Sequence, residues 1–543
     1  MTTVAELVGT AVAGLGVGHA FGVVGSGNFH VTNALRVAGV PFLATRHEGG
    51  AATMADAYTR VSGRVGVLSV HQGPGLTNAM TGIAEAAKSR TPLLVLAGDT
   101  GAGAVRSNFR LDQAALVTAV GAVAERVHSA QTALADTVRA YRTAVEQRKT
   151  VVLNLPLDVQ AASVPGGWTV PALPELTPVR PGKAAVSALA ALIAASERPV
   201  FVAGRGAAGA GEPLRALASA TGALLATSAV ANGLFADDAW ALGISGGFSS
   251  PLAAELIGNA DLVVGWGCAL NMWTMRHGAL IGPGAKVVQV DIDPDGIGAN
   301  RPVDLGVLGD VGATAVETLA AFPRRRTRYR TPEVRAAIAD GIRWRSVPYK
   351  DLTGPEGIDP RTLSIALDDV LPAERVVAVD SGNFMGYPMA YLRVPDEQGS
   401  CFTQGFQSIG LGLATAIGAA VARPDRLAVA ALGDGGALMS VAELETIARL
   451  GLAMVVVVYD DRGYGAEVHH FVGEDLDTVR FPETDIAAIG RGFGFDAVTV
   501  RTPGDVEGVA DWVAGPRSRP LLVDAKIASD GGSWWLAEAF RGH

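Results

Sequence analysis

The chain reads Gly-Asp-Gly at residues 433–435 and Asp-Asp-Arg-Gly at residues 460–463, and these two stretches decide the fold. Each follows a short apolar run, residues 427–432 before the first and residues 454–459 before the second. Both runs are continuous rather than alternating in hydrophobicity, which is typical of strands buried on both faces. The sequence therefore predicts two buried strands, each followed at once by acidic residues.

A helix is predicted between these strands. Ser440 and Glu443 have the spacing of a capping box, and Gly451 is a typical residue at a helix end. Strand, helix and strand in this order predict a βαβ unit, in which both strands run parallel.

Asp434 and Asp461 are expected to converge at the carboxyl edge of this sheet, where open α/β sheets bind ligands. Two carboxylates beside a helix that attracts anions suit Mg²⁺, which takes one or two carboxylates together with phosphate oxygens and water. Gly-Asp-Gly alone would more commonly be an ordinary turn. The second acidic site at the end of the second strand favours a metal site instead.

Composition narrows the class of protein. The 543 residues are 49% hydrophobic and 18% charged, as expected for a chain of several globular domains. The net charge of −9 argues against nucleic acid as a main partner. Cys268 and Cys401 form no metal or disulfide pattern and suit buried positions in the reducing cytoplasm. No run of about 20 apolar residues is present, so no membrane span is expected.

Three regions alternate between strand-like and helical segments, which predicts an α/β protein with three doubly wound parallel sheets. We expect domains at residues 1–170, 186–322 and 357–543, and interpret the first and third as structural cousins. The turn at residues 204–206 (Gly-Arg-Gly) resembles a dinucleotide-binding turn only loosely, so a nucleotide site is not favoured there. Residues 323–356 are predicted to be a solvated linker because of their arginines, Arg324, Arg325, Arg326, Arg328 and Arg330.

Two motifs of the first region lie at predicted strand-to-helix junctions. Residues 46–52 read Arg-His-Glu-Gly-Gly-Ala-Ala, and residues 71–78 read His-Gln-Gly-Pro-Gly-Leu-Thr-Asn. From the first segment alone, Glu48 has two interpretations: it complements the helix dipole, or it is a functional acid.

These motifs together resemble the thiamine diphosphate-dependent enzymes of the acetolactate synthase-like and 2-oxo acid decarboxylase family. The resemblance extends from about residue 4 to about residue 530. It implies a pyrimidine-binding, a central and a diphosphate-binding domain in this order. It also implies that Asp434, Asp461 and the Gly463 carbonyl bind Mg²⁺. Asp460 departs from the family, which usually has Asn at the first position of the acidic pair.

The resemblance further implies which residues bind thiamine diphosphate. Glu48 would hydrogen-bond the aminopyrimidine and promote its imino form, and Ile409 is the large apolar residue beneath the bent cofactor. The other implied contacts are Asn78, Ser381, Gly382, Asn383, Phe384, Ser408, Gly433, Asp434, Gly435, Gly436, Asp461, Gly463, Tyr464 and Gly465.

For catalysis, Ser26 and His71 resemble the Ser and His that handle substrate in benzoylformate decarboxylase-like enzymes. The alternative is that His71 is simply a packed residue at a strand end. Glu467 resembles the proton-handling Glu of pyruvate decarboxylase-like enzymes, and the nearby Tyr464, His469 and His470 are candidates to line the same pocket.

Two departures from the sequences of acetolactate synthases narrow the range of expected reactions and cofactors. Residues 109–111 read Phe-Arg-Leu where acetolactate synthases have Phe-Gln-Glu, which argues against acetolactate synthesis itself. Residues 270–273 (Leu-Asn-Met-Trp) resemble 2-hydroxyacyl-CoA lyases and oxalyl-CoA decarboxylases more than a flavin-contacting segment, so no flavin is predicted.

The expected function is therefore thiamine diphosphate- and Mg²⁺-dependent cleavage or formation of a C–C bond next to a carbonyl. A 2-oxo acid is the favoured substrate. The alternatives are a 2-hydroxyacyl-CoA lyase and a non-catalytic cofactor-binding regulatory subunit. A homodimer or homotetramer with active sites between subunits is implied, in the cytoplasm and without a nucleic acid or membrane partner.

Overall fold

The computed structural model describes residues 2–323, 329–529 and 531–539. It contains three six-stranded sheets, and every pair of neighbouring strands in them is parallel. The prediction of three doubly wound α/β domains is confirmed.

The first domain has strand order β2-β1-β3-β4-β6-β5. Its strands are β1 His19–Gly22, β2 Phe42–Ala44, β3 Gly66–Val70, β4 Leu93–Asp99, β5 Val123–Arg126 and β6 Thr150–Pro156. Its helices are α1 Val4–Gly14, α2 Phe29–Val37, α3 Glu48–Ser62, α4 Pro74–Lys88, α5 Gln113–Ala119, α6 Ala133–Glu146 and α7 Leu157–Gln160.

The central domain has strand order β12-β11-β10-β7-β8-β9, the order of a dinucleotide-binding fold. Its strands are β7 Pro199–Ala203, β8 Leu224–Thr227, β9 Ala241–Ile244, β10 Leu262–Trp266, β11 Lys286–Asp291 and β12 Leu305–Leu308. Its helices are α8 Lys183–Ala195, α9 Gly211–Thr221, α10 Pro251–Gly258, α11 Met272–Met275 and α12 Val311–Ala321, and α13 Pro332–Gly341 follows them.

The third domain has strand order β14-β13-β15-β16-β18-β17. Its strands are β13 Arg375–Val379, β14 Ser400–Phe402, β15 Leu427–Gly433, β16 Met454–Asp460, β17 Asp496–Val500 and β18 Leu521–Lys526. Its helices are α14 Pro360–Val370, α15 Gly386–Tyr391, α16 Gly412–Ala422, α17 Asp434–Met439, α18 Glu443–Leu450, α19 Gly465–His470, α20 Ile486–Gly492, α21 Glu507–Ala514 and α22 Trp534–Ala539.

The first and third domains have the same relative strand order, so the interpretation of them as structural cousins is confirmed. They also share one hydrophobic core, in which Met54 and Ala55 of α3 and Ala416 and Ile417 of α16 are buried together. This shared core fixes the two domains against each other.

The predicted capping box is wrong. The residue before α18 is Ala442, with no side-chain cap, and the helix that directly follows β15 is the short α17, which begins at Asp434 itself. Ser440 donates its hydroxyl to the Gly436 carbonyl instead. Gly451 does end α18 in a left-handed conformation, as predicted.

The predicted solvated linker is also partly wrong. Arg324, Arg325, Arg326 and Arg328 lie outside the described residues, but Arg330 is half-buried. Its guanidinium donates to the Ala223 carbonyl and lies over the Trp240 ring, so this arginine anchors the segment to the central domain.

Both cysteines are buried and unpaired, as predicted. Within the described ranges, no helix combines the length and the apolar character that a membrane span requires.

Candidate functional site

Two neighbouring strands bring Asp434 and Asp461 together. β15 and β16 are paired in parallel with Gly433 opposite Tyr459, so the residues that follow each strand meet at one edge of the sheet. The carboxyl groups of Asp434 and Asp461 lie close enough to affect each other's charge, and Asn383, in the turn after β13, favours the charged form of Asp461. The predicted convergence of the two carboxylates is confirmed.

In the part of the chain that the structure describes, no side-chain cation pairs with Asp434 or Asp461. Burial raises the pKa of Asp434, and the negative charges of Asp461 and Asp460 raise it further. Burial and Asp460 likewise raise the pKa of Asp461, against the hydrogen bond from Asn383. No ion pair within the described ranges includes either carboxylate. Two buried carboxylates in contact require a proton or a metal cation between them.

Asp460, whose role the sequence left open, has a different partner. It pairs with the Lys526 ammonium on the neighbouring β18, and Lys526 also lies 3.0 Å from Asp524. All three side chains are buried. Burial opposes the charge of Lys526, but Asp460 and Asp524 together hold its pKa above the ordinary value. Asp460 is thus a paired structural carboxylate.

Glycines bring backbone close to the carboxylates. A Cβ atom at Gly465 would lie 2.2 Å from Asp461 Oδ2, and one at Gly436 would lie 2.3 Å from Asp380 Oδ2. A Cβ atom at Gly435 would meet the Tyr464 ring at 2.6 Å. Larger residues would push these groups apart, so the glycines among the candidate contacts are required by packing.

Asp380 organises the loop that carries Ser408 and Ile409. Its buried carboxylate accepts backbone N–H bonds from Gly410 at 2.9 Å and Leu411 at 3.2 Å. Ile409 is half-buried, and the Ser408 hydroxyl donates to the Ile409 carbonyl. Burial raises the pKa of Asp380 to about 6 despite these donors. Asp380 was not predicted as a site residue, although it immediately precedes the implied cofactor contacts Ser381, Gly382, Asn383 and Phe384.

The turn after β13 is held from the chain's C-terminal segment. Asn383 Oδ1 accepts the Ser533 hydroxyl at 2.6 Å, and its carbonyl accepts the Trp535 indole N–H at 3.0 Å. Ser381 donates to Gln404, and Gly382 has a positive φ of 140°. Phe384 is buried, and its ring stacks on Tyr459 and packs against Gly382 and Gly433, where a Cβ atom would lie 3.2 Å from the ring.

The segment after Asp461 is fixed by a short antiparallel bridge between Gly463 and Arg480. Tyr464 N–H donates to the Val479 carbonyl at 2.9 Å, and the Tyr464 ring packs edge-on against Phe481. Beside it lies a cavity of about 480 Å³, lined among others by Asn383, Asp461, Gly465 and His469. This cavity has room for a small ligand next to the carboxylate pair.

Glu48 begins helix α3 in the first domain. The His47 ring caps this helix by accepting the Gly49 N–H at 3.0 Å, and Asn78 donates to Glu48 Oε2 at 3.1 Å. Glu48 and Asn78, which come from the two predicted motifs, are therefore in contact. The bond leaves the other carboxylate oxygen, Oε1, to a further ligand.

His71 and Ser26 are also in contact, at 3.3 Å between Nε2 and Oγ. The Gln72 carbonyl can only accept, so His71 Nδ1 carries the proton in their 2.8 Å bond. In the neutral ring, Nε2 then accepts the Ser26 hydroxyl proton. Phe109 packs edge-on against His71. His71 is half-buried and thus both packed and accessible.

The predicted residues form two separate groups in one chain. Glu48, Asn78, His71 and Ser26 belong to the first domain, whereas Glu467, in α19, belongs to the third. Within the described ranges, no hydrogen bond or ion pair joins Glu48 to Asp434 or Asp461. His469 lines the cavity beside Asp461, whereas Glu467 and His470 do not.

The site suits a diphosphate carried by Mg²⁺. Within the described ranges, no group of three His, Cys, Asp or Glu side chains could hold a metal, so the site offers two carboxylates and backbone oxygens. Such a donor set leaves positions for phosphate oxygens and water, as Mg²⁺ requires. The buried carboxylate pair that lacks a cation fits this ion.

Comparisons with known proteins point to a cofactor that carries a diphosphate. Residues 2–121 match the family model of the thiamine pyrophosphate enzyme N-terminal TPP binding domain, residues 186–319 the central domain, and residues 380–525 the C-terminal TPP binding domain.

Relatives match over most of their length. The chain is 29% identical to a sulfoacetaldehyde acetyltransferase of Alcaligenes xylosoxydans xylosoxydans, over 92% of this chain and 88% of the relative. It is 30% identical to a probable 2-ketoarginine decarboxylase of Pseudomonas aeruginosa, over 91% and 88%. It is 29% identical to an acetolactate synthase large subunit of Parasynechococcus marenigrum, over 89% and 81%. With all three domains present and in order, the chain belongs to the thiamine pyrophosphate enzymes.

Proposed function

We propose that the protein is a thiamine diphosphate- and Mg²⁺-dependent enzyme that cleaves or forms a C–C bond next to the carbonyl of a 2-oxo acid. The observation that carries this proposal is the buried Asp434–Asp461 pair, which no side-chain cation of the described residues neutralises. The relatives' names describe a decarboxylase, an acetyltransferase and a synthase, and we assign this chain to decarboxylation, carboligation or both.

Asp434, Asp461 and the Gly463 carbonyl would hold Mg²⁺, and Ser381, Gly382 and Asn383 would border the diphosphate. The bound cofactor supplies a nucleophilic thiazolium carbon and an electron sink for the bond that breaks. Glu48 would hold a proton between its free carboxylate oxygen and the aminopyrimidine. Asn78 orients that carboxylate from the other side.

His71 and Ser26 would move a proton at the substrate. The bond from Nδ1 to the Gln72 carbonyl fixes the ring, so Nε2 faces the Ser26 hydroxyl and can exchange its proton. Glu467 is proposed as a second proton donor from the third domain.

The active site would form between two copies of the chain. Large apolar side chains are exposed beside both groups of site residues: Val105, Phe109, Phe406, Leu438, Met439 and Phe471. Exposed apolar surface next to a functional site is typical of an interface. A homodimer or homotetramer in which Glu48 of one copy meets Asp434 of another would cover it.

A substrate screen tests the reaction. The protein is loaded with thiamine diphosphate and Mg²⁺ and offered 2-oxo acids and 2-hydroxyacyl-CoAs, and turnover is followed with and without cofactor. Cofactor-dependent loss of a 2-oxo acid is the expected result. Turnover of 2-hydroxyacyl-CoAs alone would identify a lyase, and cofactor binding without any turnover would identify a regulatory subunit.

Mixed oligomers test the shared site. Glu48→Gln and Asp434→Asn chains are each inactive by this proposal, but coexpressed they form some sites from two intact halves. Activity restored in the mixture is expected. A mixture as inactive as its parents would place each site within one chain.

A further inference from the structure

A buried carboxylate of the third domain reaches the loop that carries Glu48. Glu443, at the start of α18, is 2% exposed. Its Oε1 atom accepts the backbone N–H groups of Arg46 at 3.1 Å and His47 at 3.0 Å. Its Oε2 atom accepts the Thr446 hydroxyl at 2.6 Å. The carboxylate thus binds the two residues that immediately precede Glu48.

The sequence around Glu48 leaves room for this contact. A Cβ atom at Gly50 would lie 2.8 Å from Glu443 Oε1, closer than such atoms approach. Any side chain at residue 50 would therefore displace the carboxylate or the loop. Gly50 and Glu443 are matched across the interface between the two domains.

Two further contacts join the same elements at the surface. Arg46 Nε donates to Glu445 Oε2 at 2.6 Å, and Arg449 donates to the Ala44 carbonyl at 2.6 Å. The Arg46 side chain is half exposed, so its ion pair is screened by solvent. Glu443 is the buried member of this set, and hydrogen bonds to a buried charge are the strong ones.

We propose that Glu443 is a positioning residue for Glu48. It fixes the backbone at Arg46 and His47 and thereby the first turn of α3, so that the Glu48 carboxylate keeps the geometry it needs at the aminopyrimidine. This inference rests on the proposed function, because it assigns Glu443 a role through Glu48. A displacement of about 1 Å at a reacting group costs about 10²-fold in rate.

The test compares Glu443→Ala, Glu443→Gln and Gly50→Ala with Glu445→Ala as the matched control on the same helix. Amide hydrogen exchange of residues 44–50 is measured by mass spectrometry in the cofactor-free protein. Cofactor affinity is measured by titration of thiamine diphosphate with Mg²⁺. Exchange of the thiazolium C2 proton is followed by NMR in the loaded protein.

Glu443→Ala and Gly50→Ala should expose the Arg46 and His47 amides to faster exchange and slow C2 exchange by about 10- to 100-fold. Cofactor affinity should stay within about threefold, since the metal ligands are untouched. Glu443→Gln should recover most of the C2 exchange, because its amide oxygen still accepts both N–H groups. Glu445→Ala should match the wild type in all three measurements.

Unchanged amide exchange of residues 44–50 in both Glu443→Ala and Gly50→Ala would show that Glu443 does not hold this loop. Faster amide exchange with normal C2 exchange would overturn the positioning role alone. A wild-type protein that binds the cofactor but never accelerates C2 exchange would instead overturn the proposed function, and the role of Glu443 with it.

Discussion

Two groups of buried carboxylates, one in the first domain and one in the third, differ in how their charge is balanced. Asp56 and Glu85 lie against Arg60, whose guanidinium is 2.6 Å and 2.8 Å from them, and we call these three residues the Arg60 cluster. Burial favours the neutral form of Glu85, but Arg60 outweighs it and holds the pKa of Glu85 below its ordinary value. Asp434 and Asp461 have no such partner among the residues that the structure describes, and their pKa values are raised.

The two groups differ in whether the protein itself balances their charge. In the Arg60 cluster, Glu85 accepts the N–H groups of Gly405 and Phe406 and so fixes the loop that leads to Ser408. Its charge is balanced within the protein. The charge of Asp434 and Asp461 is balanced only when a cation arrives from solvent. Of these two groups, the Asp434–Asp461 pair is therefore the one available to bind a cation.

The largest effect, a loss of turnover, is expected from Glu48→Gln. The partner of this carboxylate is the amide of Asn78 and not a cation. Turnover should fall by about 10²–10⁴-fold, the usual contribution of a positioned acid–base group. Cofactor affinity and the unfolding temperature should change little, because the shape is kept. Steady-state kinetics, cofactor titration and calorimetry measure these effects. Normal turnover would show that Glu48 only complements the dipole of α3.

Arg60→Leu should lower the stability of the protein, which Glu48→Gln leaves nearly unchanged. It removes the guanidinium that contacts both Asp56 and Glu85 and leaves them only the charge of the buried Arg205, which costs about 3–5 kcal/mol of the free energy of unfolding. Urea unfolding of the cofactor-free protein measures the loss. Arg60→Lys is the control and should recover part of it. Full stability in Arg60→Leu would contradict the assignment of this cluster to structure.

Asp434→Asn should weaken binding of thiamine diphosphate with Mg²⁺ by roughly 100-fold, since one of two carboxylate ligands is lost. The cofactor-free protein should be as stable as the wild type or more so, because repulsion with Asp461 is relieved. Fluorescence titration with and without Mg²⁺ measures the affinity, and chelation of Mg²⁺ from the wild type should reproduce the defect. Unchanged affinity would place the metal elsewhere.

The fold followed from local sequence because buried parallel strands have a strong apolar signal. Residues 427–432 and 454–459 were predicted as strands and form most of β15 Leu427–Gly433 and β16 Met454–Asp460. Two short strands at sheet edges, β9 Ala241–Ile244 and β14 Ser400–Phe402, were not predicted. Such strands form through pairing with a neighbour, which the local sequence does not encode.

The candidate site likewise contains features that were predicted from the sequence and contacts that were not. Asp434 and Asp461 follow two neighbouring strands directly, so their convergence could be predicted from the sequence. Glu443 was taken for a helix cap because its true partners, Arg46 and His47, lie about 400 residues away. The partner of Asp460 is Lys526, 66 residues further along the chain. Contacts between distant segments arise only when the sheets assemble.

Asp460→Asn is expected to have the smallest effect, and it asks whether Asp460 belongs with the paired carboxylates or with the metal site. The amide oxygen can still accept the Arg462 N–H, and Lys526 keeps Asp524 at 3.0 Å and the Thr484 carbonyl at 2.7 Å. The free energy of unfolding should therefore fall by only about 1–2 kcal/mol.

Cofactor affinity in Asp460→Asn should change by no more than about threefold. The charge of Asp460 both raises the pKa values of Asp434 and Asp461 and attracts a cation, so its removal has opposing effects. Lys526→Met is the matched comparison, because it leaves Asp460 and Asp524 buried without a cation and should cost about 3–5 kcal/mol. The double variant should be more stable than Lys526→Met alone, since one uncompensated charge is gone. A loss of cofactor affinity in Asp460→Asn as large as in Asp434→Asn would make Asp460 a metal ligand and remove it from the paired class.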